Sequence, residues 1–304
     1  MWRFLILTFL TFIIAGCSMI TIDEEPAEDN RENKRAVYLE QQNDAIEGEF
    51  EEKNEKSKIQ DFLEAVFQLN RAPAKHEDAE PVQYIAFGDS LTRGIGDETK
   101  MYGYSGRLAE TIERWPAVKE VALDNRGKNG RRSDQLLALL QKGHYDEELS
   151  QADFMTMTLG GNDVMKVVKS DLFSLKKEMF DKELMHFSQR YRDIIAEIRV
   201  RNSEAPILLI GFYNPFSIIT DEYTPFETIV NEWNDTIKQI ADDDLNACFV
   251  PISDLFLTNA GMVYHTDFFH PSASGYEQMT ERIIEYMKLC DIEQMSKGRI
   301  GIEE

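Results

Sequence analysis

The chain has 304 residues, of which 42% are hydrophobic, so it is long enough to bury one substantial core or two small ones. Its formal net charge is −22. Such an acidic surface repels phosphate backbones and anionic lipid, which argues against nucleic acid as a partner and against adhesion to membranes through a basic patch.

The first seventeen residues have the pattern of an export signal. Residues 1–3 are a short cationic start, and residues 4–14 are an apolar stretch too short for an ordinary membrane-spanning helix. The segment ends in Ile14-Ala-Gly-Cys17, which resembles the lipobox of bacterial lipoproteins. That resemblance implies cleavage before Cys17 and acylation of this residue. The alternative is an ordinary secretory signal with an accidental cysteine.

Acylation of Cys17 predicts an exported protein with a stable membrane anchor, because several acyl chains hold a protein where a single chain would not. The anchor would lie in the outer face of the bacterial cell membrane, or in the outer membrane if the source is Gram-negative. Residues 18–80 then form an acidic arm, with 18 Asp and Glu against 8 Lys and Arg. Residues 21–30 are predicted to be disordered and residues 34–69 partly helical. The arm is either a spacer or a solvated tail with one helix packed on the folded domain.

From residue 82 onward, short apolar runs alternate with amphipathic stretches. The predicted strands are 82–87, 120–123, 154–159, 207–212 and 247–250. The predicted helices are 106–115, 133–141, 175–201, 227–241 and 274–289, with Ser133 as an N-cap. This alternation predicts an α/β fold in which helices cover both faces of a parallel sheet. We assign the folded domain to residues 81–293 and a C-terminal tail to residues 294–304.

Two cysteines remain if Cys17 is acylated. Cys248 lies in the last predicted strand, and Cys290 closes the last predicted helix. The pair could form one disulfide, but we predict two separate buried thiols because free cysteine behaves as a small hydrophobic residue.

Four short motifs carry chemically useful side chains, and the first three follow the C-terminal ends of predicted strands. They are Gly88-Asp-Ser90-Leu, Asn125-x-x-x-x-Gly130, Gly160-Gly-Asn162-Asp163 and, before the last helix, Asp267-x-x-His270. Ligands bind at that edge of open α/β sheets. Together the motifs contain a nucleophile, a base, a group that orients the base, and donors for an oxyanion.

The order and spacing of these motifs, over roughly residues 81–293, resemble the SGNH hydrolases, also called the GDSL esterase/lipase family. The resemblance implies a three-layer α/β/α fold, flavodoxin-like, with a five-stranded parallel sheet in strand order 2-1-3-4-5. It also implies hydrolysis of carboxylic esters through an acyl-enzyme, with no cofactor and no metal.

By the same resemblance, Ser90 is the nucleophile, His270 the general base and Asp267 the group that holds the imidazole. His265 is the competing base, because it lies five residues before His270. The simpler interpretation of Ser90 is a serine that caps a helix.

The oxyanion hole implied by the resemblance consists of the backbone N–H groups of Ser90 and Gly130 and the side-chain amide of Asn162. Gly127 is the alternative to Gly130, since it also follows Asn125. The Gly-Gly-Asn-Asp sequence could equally be a simple tight turn, and Asp163 is expected to brace it through nearby backbone.

Substrate binding is assigned to two loops, 92–104 and 213–226. The second is apolar enough to line an acyl pocket, with Tyr213, Phe216 and Tyr223 as candidate contacts; alternatively, its aromatic residues only pin it to the core. The predicted substrates are small-molecule or lipid esters, including lysophospholipids and thioesters. The alternatives are an O-acetyl esterase acting on cell-envelope polysaccharide, a metal-dependent phosphoesterase, for which histidines near the motifs are scarce, and a non-catalytic surface lipoprotein.

Overall fold

The computed structural model describes residues 80–170, 174–218 and 224–302. Within these ranges, no helix combines the length and the apolar character needed to cross a bilayer. The predictions for the signal, for Cys17, for the acidic arm up to residue 79 and for Tyr223 lie outside the described residues.

Five parallel strands form one sheet in the order β2-β1-β3-β4-β5. Their bounds are Val82–Gly88 (β1), Val121–Gly127 (β2), Phe154–Thr158 (β3), Ile207–Ile210 (β4) and Ala247–Val250 (β5). Every residue of β3 and β4 is buried, as expected for strands with helices on both faces. Both the parallel sheet and the strand order implied by the family resemblance are confirmed.

Nine helices lie in the described part of the chain. Their bounds are Ser90–Arg93 (α1), Gly103–Glu113 (α2), Ser133–Gln141 (α3), Asp146–Gln151 (α4), Gly161–Ser170 (α5), Lys177–Arg201 (α6), Pro225–Asp242 (α7), Ala273–Leu289 (α8) and Ile292–Met295 (α9). Two short 3₁₀ segments, Ser253–Phe256 and Ala260–Met262, lie between β5 and α8.

The helices form a layer on each side of the sheet. Helices α2 and α8 pack on each other and on the sheet edges, whereas α3, α6 and α7 pack together. Alternate residues of β1 serve the two layers: Tyr84 belongs to the core shared with α2 and α8, and Phe87 packs edge-on against Tyr145. The predicted three-layer architecture is therefore correct.

Strand β2 and helix α5 differ most from the sequence-based expectation, and the short helices α1, α4 and α9 were not predicted either. Strand β2 continues to Gly127, four residues past its predicted end, because the polar residues 124–127 pair in register with residues 85–88 of β1. Helix α5 was not predicted, since it is short and rich in valine, a weak helix former. Its valines at positions 164, 167 and 168 are nevertheless buried on one face.

Ser133 is not an N-cap. Arg132 occupies the N-cap position of α3, and Ser133 is the first helical residue. Its hydroxyl donates instead to Asp163, at 2.6 Å, because α5 brings that carboxylate against the start of α3.

The two cysteines form a disulfide, so the prediction of separate thiols was wrong. Cys248 lies in β5 and Cys290 directly follows α8, with their Cα atoms 6.2 Å apart. The two residues are 42 positions apart in sequence. Only the packing of α8 beside β5 brings their side chains together.

Residues 294–302 pack against the domain. Ile300 is fully buried, and the Arg299 guanidinium donates to both carboxylate oxygens of Asp153 at 2.9 Å.

Loop 92–104 is organised around the Asp97 side chain. Its carboxylate accepts two bonds from the Arg107 guanidinium, at 2.6 and 2.9 Å, and one from the Thr99 hydroxyl. The backbone N–H of Gly103 donates to it as well. Burial opposes ionisation of Asp97, but the bonds from Arg107, Thr99 and Gly103 outweigh it and lower its pKa from 3.8 to about 2.

We expect Asp97→Asn to lower the free energy of unfolding by roughly 1–2.5 kcal/mol at pH 7. A carboxylate whose folded-state pKa is depressed stabilises the fold above the unfolded-state pKa, and this contribution is lost as the pH falls through the folded value. The gap between wild type and variant should therefore begin to close below about pH 4 and shrink towards pH 2. Urea unfolding across this pH range measures it.

Asp254→Asn is the matched control, because it removes the pair of an exposed aspartate with Arg282. Its effect should stay below about 1 kcal/mol. An Asp97→Asn variant as stable as wild type at pH 7 would contradict the role given to this carboxylate.

Candidate active site

The candidate site lies at the carboxyl ends of β1 and β3, where the order of the sheet reverses. Strand β1 pairs with β2 on one side and with β3 on the other, so the connections that leave β1 and β3 diverge and open a crevice. Ser90 directly follows β1, and Asn162 follows β3. The predicted clustering of the motifs at one sheet edge is explained by this topology.

Ser90 is the first residue of α1, in a turn that two neighbours hold in place. The Asp89 side chain caps α1 by accepting a hydrogen bond from the Leu91 N–H at 3.0 Å. Gly88 has φ +151°, and a Cβ there would lie 2.3 Å from the hydroxyls of Thr92 and Thr158. The glycine is thus required for close packing of the turn on the sheet.

The loop before α8 carries the base to the serine. The Oγ of Ser90 lies 3.0 Å from Nε2 of His270, and Nδ1 of His270 lies 2.7 Å from Oδ2 of Asp267. The serine and the histidine are 180 residues apart in sequence. The three side chains therefore stand in the relative positions that a nucleophile, a general base and its orienting carboxylate require.

Asp267 is held for this position by its own loop. Its Oδ1 accepts the backbone N–H groups of Phe269 at 3.0 Å and His270 at 2.9 Å. Burial disfavours the ionised carboxyl, but the bonds from the His270 ring and from these two N–H groups prevail and hold the pKa of Asp267 well below its usual range. A permanently charged Asp267 fixes the imidazole with its Nδ1–H towards the carboxylate and its Nε2 towards Ser90.

His265 takes a different place in the same loop. Its backbone N–H donates to the His270 carbonyl, and its Nδ1 lies 3.8 Å from Oδ1 of Asp267. That Nδ1 is buried and has no hydrogen-bond partner among the described residues. The hydrogen bond with Ser90 is made by His270, which favours His270 over His265 as the base.

The oxyanion side of the site is built by Asn162 and the loop after β2. The side-chain amide of Asn162 donates to Oδ2 of Asp89 at 3.1 Å, which leaves its second N–H for another acceptor. Gly127 is unsuited as a donor, because its N–H already binds Asn125 and its Cα faces the backbone of Arg93. Gly130 has φ +71° with open space around its Cα, and within the described residues its N–H makes no hydrogen bond.

A buried polar cluster connects the start of α3, where the Gly130 loop ends, with the start of α5, where Asn162 lies. The Asp163 carboxylate accepts three hydrogen bonds. Two come from Ser133, from the backbone N–H at 3.0 Å and from the side-chain hydroxyl at 2.6 Å, and one comes from the Arg190 guanidinium at 3.1 Å. Burial raises the pKa of Asp163, although these hydrogen bonds act to lower it. The hydrogen bonds of Asp163 thus go to α3 and α6, and not to the backbone of its own turn as expected. Arg190 had no local sequence signal because it comes from the middle of α6.

Asp89 had been given no role from the sequence, yet it connects the nucleophile turn to β3 and to Asn162. Its Oδ1 accepts the Thr158 hydroxyl at 3.1 Å in addition to the Leu91 N–H, and its Oδ2 accepts the Asn162 amide. Burial raises its pKa to about 6, against the bonds from Leu91 and Thr158 and the field of His270. Beneath it, a chain of buried hydroxyls continues through the sheet, formed by Thr158, Thr92, Tyr104, Thr156 and Tyr84.

An apolar depression of about 50 Å³ opens beside Ser90 and Asn162. Its lining residues are Asp89, Ser90, Leu91, Gly161, Asn162, Val164, Met165, Phe212, Tyr213, Pro215, Phe226 and Phe269. Tyr213 is among them, but its hydroxyl donates to the Phe269 carbonyl and its ring stacks on Phe256, so it also pins the loop. Phe216 is not one of the lining residues. Its ring packs edge-on against the ring of Phe226, with the ring centroids 5.2 Å apart.

Within the described ranges, no group of three or more His, Cys, Asp or Glu side chains is arranged to hold a metal ion. The polar groups around Ser90 are engaged with one another as hydrogen-bond partners, as in the contacts of Asp267 with His270 and of Asp89 with Asn162.

Known proteins share both the sequence and the fold of this domain. Residues 86–278 match the GDSL-like Lipase/Acylhydrolase family. The uncharacterized protein YpmR of Bacillus subtilis strain 168 is 33% identical over 211 residues, which are 69% of this chain and 82% of that protein. Spore germination lipase LipC of Bacillus licheniformis is 27% identical over 211 residues, 66% of this chain and 94% of LipC.

Among solved structures, the lipase Lip_vut3 from a goat rumen metagenome is 26% identical, with a TM-score of 0.58 over 68% of this chain and 99% of that one. A mutant of Axe2, an acetylxylan esterase from Geobacillus stearothermophilus, has a TM-score of 0.51 over 70% of this chain and 95% of its own, at 19% identity. The second likeness supports the fold alone. With a family match over most of the folded domain and lipases among its relatives, the chain belongs to the GDSL-like Lipase/Acylhydrolase family and is a hydrolase of ester bonds.

Proposed function

We propose that the protein hydrolyses carboxylic esters through a covalent acyl-enzyme formed on Ser90. The observation that carries this proposal is the continuous line of hydrogen bonds from Ser90 Oγ to His270 Nε2, at 3.0 Å, and from His270 Nδ1 to Asp267 Oδ2, at 2.7 Å. A serine hydroxyl is a weak nucleophile until a neighbouring base accepts its proton, and this geometry supplies that base.

In the first half of the reaction, Ser90 Oγ attacks the ester carbonyl carbon while its proton moves to His270 Nε2. The carbonyl electron pair moves onto the oxygen, and the Asn162 amide and the N–H groups of Ser90 and Gly130 stabilise the resulting oxyanion. The Asp267 carboxylate stabilises the imidazolium. When the intermediate collapses, the alcohol leaves with the proton from His270, and the acyl group remains esterified to Ser90.

In the second half, His270 accepts a proton from a water molecule as the water oxygen attacks the acyl carbon. Collapse of the second tetrahedral intermediate breaks the bond to Ser90 Oγ, which recovers the proton from His270. The products are a carboxylic acid and the free enzyme.

The size of the apolar depression supports small acyl groups. Its volume of about 50 Å³ is small beside the roughly 300–1,000 Å³ of pockets that bind drug-sized ligands. Acyl esters in general, including lysophospholipids and thioesters, are within the proposed chemistry. O-acetyl groups, such as those on cell-envelope polysaccharide, are the alternative that this volume favours.

Ser90→Ala should lower the hydrolysis of p-nitrophenyl acetate by on the order of 10⁴-fold, because loss of the nucleophile disables the triad as a unit. Steady-state kinetics measures the loss, and Ser203→Ala, at an exposed serine, is the control. The chelator EDTA should leave the wild-type rate unchanged. Activity of the Ser90 variant within tenfold of wild type would refute the serine mechanism, and loss of activity with EDTA would favour a metal-dependent phosphoesterase.

Substitutions of Asn162 and of Asp267 should lower the activity for different reasons. Asn162→Ala removes a donor that acts on the transition state, so kcat should fall by about 10²–10³-fold with little change in KM. Asp267→Asn favours the wrong imidazole tautomer, and kcat should fall by up to about 10⁴-fold. His265→Ala should be nearly neutral. A collapse of activity in His265→Ala together with an active His270→Ala variant would overturn the assignment of the base.

We also propose that Cys17 carries the lipid that anchors the enzyme to the bacterial membrane, on the strength of the Ile14-Ala-Gly-Cys17 sequence. Cys17→Ser should prevent acylation, so the protein should leave the membrane fraction or remain unprocessed. Fractionation and gel mobility measure this, with Ser18→Ala as the control. A Cys17 variant that partitions and migrates like its parent would contradict the proposal.

A further inference from the structure

A second, open depression adjoins the active site and shares Asn162 with the apolar one. Its volume is about 410 Å³, and it is lined by Gly130, Arg132, Asn162, Lys166, Lys169 and Ser170. Because Asn162 lines both depressions, the cationic side chains lie next to the part of the site that contains Ser90.

Asp134, Asp163 and Glu183 act on the Arg132 guanidinium and neutralise part of the cationic wall, whereas Lys166 and Lys169 are exposed and weakly paired. Lys169 forms no ion pair with any described residue, and Lys166 has only Glu183, at 3.9 Å, which is already bound more closely by Arg190. The Arg132 guanidinium pairs with Asp134 through one terminal nitrogen, at 3.0 Å. Its Nε is buried and has no hydrogen-bond partner in the described part of the chain.

Three cations at one depression are unexpected in a chain of net charge −22. An acidic surface repels anions in general, so a local positive wall attracts them selectively to this point. The Arg132 guanidinium, whose side chain is 28% exposed, lies beside the point charges of the two lysines, a combination that suits phosphate or carboxylate oxygens.

We propose that this depression binds an anionic group, a phosphate or a carboxylate, carried by the alcohol part of the ester. The proposal rests on the proposed function of Ser90. The acyl part is assigned to the apolar depression, whose volume of about 50 Å³ fits a small uncharged group. The leaving oxygen of the alcohol must lie beside His270 to receive a proton from its imidazole. The anionic group must therefore be several bonds away from that oxygen, so that it extends beyond Asn162 to Lys166 and Lys169.

Matched ester pairs test this proposal and distinguish the two sources of charge. The phosphate pair is 1-acetylglycerol 3-phosphate and 1-acetylglycerol, and the carboxylate pair is an acetylated methyl glucuronoside and the same acetylated methyl glucoside. Released acetate gives kcat/KM for each. For at least one pair, the wild type should prefer the anionic ester by about 3- to 20-fold, the range expected for two exposed ion pairs. The preference should shrink between low salt and 0.5 M NaCl.

The Lys166→Gln/Lys169→Gln variant should bring the ratio of anionic to neutral kcat/KM close to one, mainly through KM, and Lys169→Glu should bring it below one. The ratio is internal to each variant, so partial loss of folded protein does not affect it. Lys142→Gln is the matched control, since it removes one exposed charge at the opposite end of α3. This control should keep the wild-type preference.

The proposal is overturned if wild type shows no preference in either pair, or if the double variant keeps it. It is also overturned if the charge preference appears only when the charge lies on the acyl part, as in monoethyl succinate compared with ethyl butyrate. Failure of the proposed function has a separate signature, because Ser90→Ala would then still release acetate from the neutral esters.

Discussion

The burial of the Asp89 carboxylate is the interaction that joins the parts of this site. Its two oxygens accept the N–H that begins α1, the hydroxyl of Thr158 in β3 and the amide of Asn162 in α5. An ionised carboxylate is costly to bury without partners, so all three groups must be in place together. The nucleophile turn and the oxyanion side are therefore positioned by one shared acceptor, and the raised pKa of Asp89 reflects the cost of holding it there.

A second buried carboxylate does the same for the outer edge of the site. Asp163 fixes the start of α3, and hence the end of the loop that carries Gly130, to the start of α5 and to Arg190 of α6. The site thus stands on rigid elements connected by charged hydrogen bonds. Donors that are fixed before the reaction need no reorganisation when negative charge develops on the substrate, which is how an oxyanion site contributes to rate.

Net charge and local charge carry different information in this protein. The net charge of −22 argued against adhesion to membranes through a basic patch, yet Arg132, Lys166 and Lys169 line one depression beside Asn162. Arg132 ends a basic stretch, residues 126–132, whereas Lys166 and Lys169 come from α5, so only the fold brings the three side chains to one depression. Charge balance describes the average surface, whereas a binding site depends on which side chains the fold brings together.

The sequence by itself determined the sheet, the main helices and the identity of the polar groups at the site. An apolar strand has two faces to bury and an amphipathic helix has one. Alternation of the two patterns therefore specifies a parallel sheet with helices packed on both faces. The sequence also placed Ser90, Asn162 and His270 next to element ends, where side chains reach a ligand. These features depend on short stretches of chain, which is why they could be recognised without coordinates.

Tertiary structure decided what depends on contacts between distant segments. It joined Cys248 to Cys290 and gave Ser133 a hydrogen bond to Asp163 in place of an N-cap role. It also placed His270 and not His265 beside Ser90, and engaged the N–H of Gly127 and not that of Gly130, in agreement with the choices that the family resemblance implied. It also extended β2 through residues 124–127 by pairing them with β1. In each case the local sequence allowed more than one outcome. The packing of the layers selected one of them, because buried polar groups require hydrogen-bond partners and a disulfide requires two adjacent cysteines.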